Sequence, residues 1–169
     1  MNRIKTILVD DEPRGLTAMQ KLLQLNCPEV DVIACCGSAE EAKEMIEGLQ
    51  PQLIFLDIAM PGKTGFDLLK DLHEINFEII FVTAHNNYMV QAFHFSALDY
   101  LLKPIDEAEL KKAVALAIYK LYFVELSQKT ASIKEPRAFL KAGGFASRDF
   151  ARSHPGLFQV MMQFQLQPN

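Results

Sequence analysis

Asp10, Asp11 and Asp57 are the side chains that first suggest chemistry, because each carboxylate stands at the end of a short apolar run. Ile4–Val9 ends in Asp10-Asp11-Glu12-Pro13, and Leu53–Leu56 ends in Asp57 ahead of Met60-Pro61-Gly62. Thr83 closes a third run from Glu78, and Lys103 follows a fourth from Ala97. Each has an ordinary role open to it. Asp10 and Asp11 suit the cap and dipole of a following helix, Asp57 the opening of a turn, Thr83 a strand and Lys103 a surface charge. Gathered in one place they do more. Three carboxylates repel one another unless a cation sits among them, and hard oxygen ligands with room for water suit Mg²⁺. Charge so balanced makes a site competent to receive a phosphoryl group. Asp57 is then the nucleophile that forms an acyl phosphate. Lys103 pairs with a phosphoryl oxygen as a point charge, and Thr83 donates its hydroxyl to another.

Whether they gather depends on the elements that carry them. Ile4–Val9, Val30–Cys36, Leu53–Leu56, Glu78–Thr83 and Ala97–Leu102 read as short strands, mostly apolar as in a sheet buried on both faces. Helical spacing fills the gaps. Leu16, Met19, Leu22 and Leu23 follow Pro13, which suits a first helical turn. Ser38 and Glu41 form a capping box for a helix through Leu49. Phe66, Leu69 and Leu72 share one face of a helix running to about Ile75, and Asn86-Asn87 starts a short one to about Phe95. Asp106 and Glu109 resemble a second cap pair, ahead of Leu110, Val114, Ala117 and Leu121 on a helix to about Leu126. Five strands alternating with five helices predict an α/β fold, a doubly wound, flavodoxin-like parallel sheet of order 2-1-3-4-5. That order makes neighbours of strands one, three, four and five, so the five residues converge at the carboxyl edge.

The net charge of −4 in 169 residues excludes a strong electrostatic footprint for nucleic acid or anionic membrane. The average hides a shift. Residues 1–130 carry 12 basic and 19 acidic side chains, residues 131–169 five and two. Cys27, Cys35 and Cys36 lack metal spacing and read as reduced and mostly buried. With no apolar stretch near the ~20 residues needed to cross a bilayer, the expected setting is cytoplasmic, without a membrane partner.

Val-Asp-Asp-Glu-Pro, Leu-Asp-Ile-Ala-Met-Pro-Gly, Val-Thr-Ala and Tyr-Leu-Leu-Lys-Pro together resemble the receiver domain of a two-component response regulator, over about residues 1–127. The resemblance implies that Asp57 accepts a phosphoryl group from a histidine kinase. It implies Mg²⁺ on Asp11, Asp57 and the Ala59 backbone carbonyl, with Asp10 acting mainly through water. Thr83 and Lys103 would sense the phosphoryl group, Tyr100 would turn inward as the Thr83 hydroxyl moves, and the Lys103–Pro104 bond would be cis. Ala59 and His85 flank the route of a hydrolytic water. The implied output is a change in the face of the fourth helix, fifth strand and fifth helix, toward homodimerisation or partner binding.

Phe95–Pro104 is most similar to LytTR-type regulators, in which a β-rich DNA-binding domain follows the receiver. Residues 128–169 are too short for that domain. They read as a linker and a poorly ordered tail, so DNA binding is expected only where an output domain is present. The reading is of a switch and not of an enzyme with a separate substrate. An Asp-nucleophile phosphatase wants an acid where Ala59 stands, and a flavin carrier wants a phosphate loop where Asp10-Asp11-Glu12 would repel one. A phosphorylation-independent scaffold or DNA-binding regulator is the remaining alternative.

Overall fold

In this computed structural model the described residues are 3–85 and 87–130, with Arg148 and Arg152. The expected helix start at Asn86 and the tail from residue 131 otherwise lie outside them. The chain runs β1 (Ile4–Val9), α1 (Pro13–Asn26), β2 (Val30–Cys36), α2 (Ala39–Leu49), β3 (Leu53–Leu56), α3 (Gly65–Asp71), β4 (Glu78–Thr83), α4 (Met89–His94), β5 (Asp99–Leu102) and α5 (Glu107–Thr130). One compact unit runs to Ala113 and contains the whole sheet, and a second begins at Val114 inside α5. No helix among the described residues is long and apolar enough to cross a membrane.

The sheet has the order β2-β1-β3-β4-β5 with every pair parallel, as the alternation of elements predicts. Its strands are short and apolar because helices cover both faces, so alternation with polar residues is not required. All four residues of β3 are buried. Ile7, Val9, Ile54, Leu56 and Phe81 join Ala42 and Ile46 of α2 and Phe66 and Leu69 of α3 in a continuous core cluster.

Register brings the strand ends level. Val9 lies opposite both Cys36 and Leu56, Leu56 opposite Phe81, and Thr83 opposite Leu102. The ladder continues one residue further, with Asp10 N–H on the Cys36 carbonyl at 3.1 Å and Asp57 N–H on that of Val9 at 2.8 Å. Lys103 N–H reaches the Thr83 carbonyl at 2.9 Å. Asp10, Asp57, Thr83 and Lys103 are therefore fixed by backbone hydrogen bonds before their side chains do anything.

The ordinary capping role open to Asp10 and Asp11 is not taken, since the N-cap of α1 is Glu12, without a side-chain bond. Other helix ends hold three corrections. Ser38 accepts from Glu41 N–H at 3.2 Å as expected, but Glu41 Oε2 returns to Gly37 N–H at 2.7 Å and not to Ser38. The full capping box is Thr64 with Asp67, a pair the sequence reading does not single out, and it opens α3 at Gly65. That helix ends at Asp71, four residues short of Ile75, because Leu72 turns extended and buries its side chain. Asp106 does cap α5, accepting from Ala108 and Glu109 N–H at 2.8 and 3.1 Å. The cysteines are mostly buried, as expected: burial pushes the thiols of Cys27 and Cys36 up to about 11 and about 12, and Cys35 is exposed.

Gly65 is required by a close approach. A Cβ there would lie 2.4 Å from the Asp57 carbonyl oxygen and 3.0 Å from Leu56 Cγ. Gly48, exposed in α2, has nothing within 4 Å. Gly65→Ala is expected to destabilise the fold by about 1–3 kcal/mol through overpacking. Gly48→Ala is expected to stabilise it by about 0.5–1 kcal/mol through helix propensity. Urea unfolding of the two variants checks both signs.

Candidate functional site

The carboxyl edge of the sheet gathers what the sequence predicts. Asp10, Asp11 and Asp57 each offer an oxygen, and these atoms lie within 4.8 Å of one another. Asp10 and Asp57 are 7 % and 6 % exposed, and Asp11 is half-buried. Buried carboxylates need partners, and these have them. Asp10 Oδ1 accepts Glu12 N–H at 2.9 Å, and Asp57 Oδ1 accepts Ala59 N–H at 3.0 Å. Both bonds run from residue i+2, the local geometry that Asp favours in turns, and they fix the two carboxylate planes.

The other oxygens face Lys103. Its Nζ lies 2.8 Å from Asp10 Oδ2 and 2.6 Å from Asp57 Oδ2. Burial alone would lower the ammonium's pKa, but the bonds to the two carboxylates more than reverse it and hold the pKa above its ordinary value. Lys103 is a charged bridge across the cluster. The sequence reading assigns Lys103 to a phosphoryl oxygen and misses its bond to Asp10, because chain separation hides which side chains meet.

Thr83 is fully buried at the end of β4, and its Oγ1 has no hydrogen-bond partner among the described residues. Tyr100, on β5, is half-buried and donates its hydroxyl to the His85 carbonyl. Burial, then the negative charge of Asp57, raises the phenol's pKa. His85 is exposed, with its ring edge-on to Tyr88 at 6.0 Å. Ala59 is exposed beside Asp57, and the Lys103–Pro104 peptide is cis.

Two glycines frame the acids and escaped the sequence reading. Gly65 lies against the Asp57 backbone, and a Cβ on Gly15 would fall 2.4 Å from Asp10 Oδ2. For Gly15 the available signal was a glycine inside a helical pattern, which costs stability and calls for a packing reason. The donor set itself, carboxylate oxygens close together and partly buried, fits a small hard cation such as Mg²⁺.

Comparison with known proteins agrees with this geometry. Residues 6–115 match the family model described as the response regulator receiver domain. The chain is 39 % identical over 113 residues to the transcriptional regulatory protein BtsR of Escherichia coli K12, covering 66 % of this chain and 47 % of that protein. It is 36 % identical over 131 residues to an uncharacterized response regulatory protein of Vibrio vulnificus, covering 77 % and 54 %. The chain thus spans about half the length of the curated relatives it matches. Among solved structures, the receiver domain of AraT from Geobacillus stearothermophilus superposes with a TM-score of 0.66 at 28 % identity, over 72 % of this chain and 98 % of that one. The signal receiver domain of a LuxO repressor protein from Vibrio parahaemolyticus gives 0.65 at 28 %, over 73 % and 96 %. Strand order, acid cluster and family match coincide, and the chain belongs to the response regulator receiver domain family.

Proposed function

We propose that this chain is a phosphorylation-driven switch in two-component signalling, with Asp57 the residue that accepts the phosphoryl group from a histidine kinase. The observation that carries the reading is the Asp57 carboxylate, fixed at the end of β3, grouped with Asp10 and Asp11 and bridged by Lys103. An Asp57 oxygen bonds to phosphorus as the bond from phosphorus to the donor breaks. Asp11, Asp57 and the Ala59 carbonyl would hold Mg²⁺, with Asp10 reached through water. When bound, the ion would neutralise oxygens that carry charge in the transition state. Lys103 then pairs with a phosphoryl oxygen.

Thr83 supports the switching half of the proposal. A buried hydroxyl without a partner costs about 1–3 kcal/mol, and a phosphoryl oxygen on Asp57 is an acceptor that would relieve it. Tyr100 is the coupled element, since its hydroxyl holds the carbonyl of His85, two residues after Thr83. The aromatic chain continues through Phe81, 6.5 Å from Tyr100, to Phe66 at 5.1 Å and then Phe95 at 5.3 Å. It ends beside α4, where Met89 and Val90 are exposed, as is Leu102 on β5. The face of α4, β5 and the first turns of α5 is the proposed surface for a second copy or an output partner.

The chain is read as a switch with at most slow self-dephosphorylation, because Ala59 has no side-chain group to hold a water. The receiver is taken as residues 1–127 in a cytoplasmic setting. A LytTR-type output in a longer parent is the further reading, supported by the Phe95–Pro104 segment and by the similarity to the transcriptional regulatory protein BtsR. DNA binding is assigned to such an output domain and not to the receiver.

Intact mass after incubation with Mg²⁺ and acetyl phosphate tests the chemistry. One phosphoryl adduct is expected, absent in Asp57→Asn and absent with chelator; an adduct that survives Asp57→Asn would sink the assignment. Thr83→Val should still accept the phosphoryl group. It should raise the stability of the unphosphorylated protein by about 1–2 kcal/mol, by removing the orphan hydroxyl, and should abolish phosphorylation-dependent association. Thermal melting and light scattering read the two effects separately.

A further inference from the structure

Gly15 is the third residue of α1, and nothing in its backbone calls for a glycine. Among the described residues Gly62 is the glycine with a positive φ, whereas Gly15 continues an ordinary helix. A glycine there gives up helix stability that an alanine would supply. What it provides is space. A β-carbon at position 15 would stand 2.4 Å from Asp10 Oδ2, 3.0 Å from Cγ and 3.3 Å from Oδ1, so it would meet the whole carboxylate. A free side chain would swing aside, but Asp10 is buried and tied at three points. Its N–H lies on the Cys36 carbonyl at 3.1 Å, its Oδ1 accepts Glu12 N–H at 2.9 Å, and its Oδ2 accepts Lys103 Nζ at 2.8 Å. Turning the carboxylate off position 15 gives up one of the two side-chain bonds. Moving α1 outward is no remedy. Glu12 is its N-cap, so the N–H that holds Oδ1 travels with the helix, while buried Met19 and Leu23 keep the helix on the core. Both routes of relief end at the Asp10 carboxylate. Gly65 differs, because it meets the Asp57 main chain and Leu56 and no carboxylate oxygen.

We infer that Gly15 is a positioning residue of the phosphoryl-transfer site and that it acts through Asp10. The missing side chain lets the carboxylate stand against the first turn of α1 with both oxygens aimed at their partners. This rests on the reading above, in which Asp10 belongs to the acid set that serves Asp57. The first turn of α1 carries a weak helix former, and the placement of one carboxylate is the reason. A residue with no functional group thus decides where a reactive one points.

The test uses the full chain and sets Gly15→Ala beside wild type and Gly48→Ala, the same substitution in open space on α2. Adduct formation from acetyl phosphate is followed by intact mass across a Mg²⁺ titration. Gly15→Ala is expected to slow it about tenfold or more, since a misplacement of ~1 Å can cost about a hundredfold. It should also raise the Mg²⁺ concentration that gives half the maximal rate. Gly48→Ala is expected to match wild type in both. Urea unfolding of metal-free Gly15→Ala, with and without Asp10→Ala, identifies the residue it acts through. The alanine should lower the unfolding midpoint beside Asp10 and raise it once that carboxylate is gone, where helix propensity is what remains. Wild-type kinetics in Gly15→Ala, or the same change of midpoint in both backgrounds, overturns the inference and leaves the phosphoacceptor reading standing. A folded wild type that forms no adduct overturns that reading and this inference with it. Should Gly15→Ala alone not fold, the double variant decides. A folded double variant supports the clash with Asp10, and an unfolded one overturns it.

Discussion

Like charges brought together on a protein edge need something to hold them there, and in this chain that is one ammonium. Lys103 is 93 residues from Asp10 and 46 from Asp57 in sequence, yet it bridges both. A unit positive charge about 3 Å from each carboxylate, partly shielded from water, interacts far more strongly than an exposed pair would. Much of the topology serves that reach. With β4 between them, β3 and β5 run about 10 Å apart at the usual strand spacing. The gap is one for a long side chain, and it passes the end of β4, where the residue is the small Thr83. Parallel strands in the order β2-β1-β3-β4-β5 put all of these ends on one side.

The fold was largely legible because its signals are local and repeated. Each strand is a short apolar run bounded by polar or turn residues, and each helix follows at its own period. The acid cluster was legible for the same reason, since every member directly ends or follows a strand. What stayed hidden depends on contacts. The end of α3 was misplaced because Leu72 continues the helical spacing of Phe66 and Leu69 while being buried from an extended backbone. The Thr64–Asp67 capping box was present in the sequence, but Gly62 and Gly65 beside it are loop-forming residues that hide a helix start. Cys35 and Cys36 are adjacent in a strand, so their side chains must point to opposite faces. One is buried and the other exposed, a distinction that composition alone does not make.

Two kinds of packing meet at the site. Under the acids, backbone is pressed on backbone, and Gly65 allows α3 to begin against the Asp57 carbonyl. Beside them, under α4, the contacts are aromatic, with Phe66 stacked on Phe95 and tilted against Phe81. The first kind tolerates almost no displacement. The second joins side chains from several elements, on the side where a signal would have to move.

The helix α4 has a consequence for how stability is distributed. It spans six residues, Met89–His94, of which Ala92 is buried while Met89, Val90, Gln91 and His94 are exposed. A helix of so few turns cannot persist on its own hydrogen bonds, so it forms only while its neighbours hold it. The strands that present Asp10 and Asp57 lie in the interior of the sheet, where backbone amides open only with the whole fold. Amide exchange would therefore set α4 apart from the sheet it lies on. The amides of β1 and β3 would open only with the domain, and those of α4 far sooner, with an ordering set by whatever the helix touches.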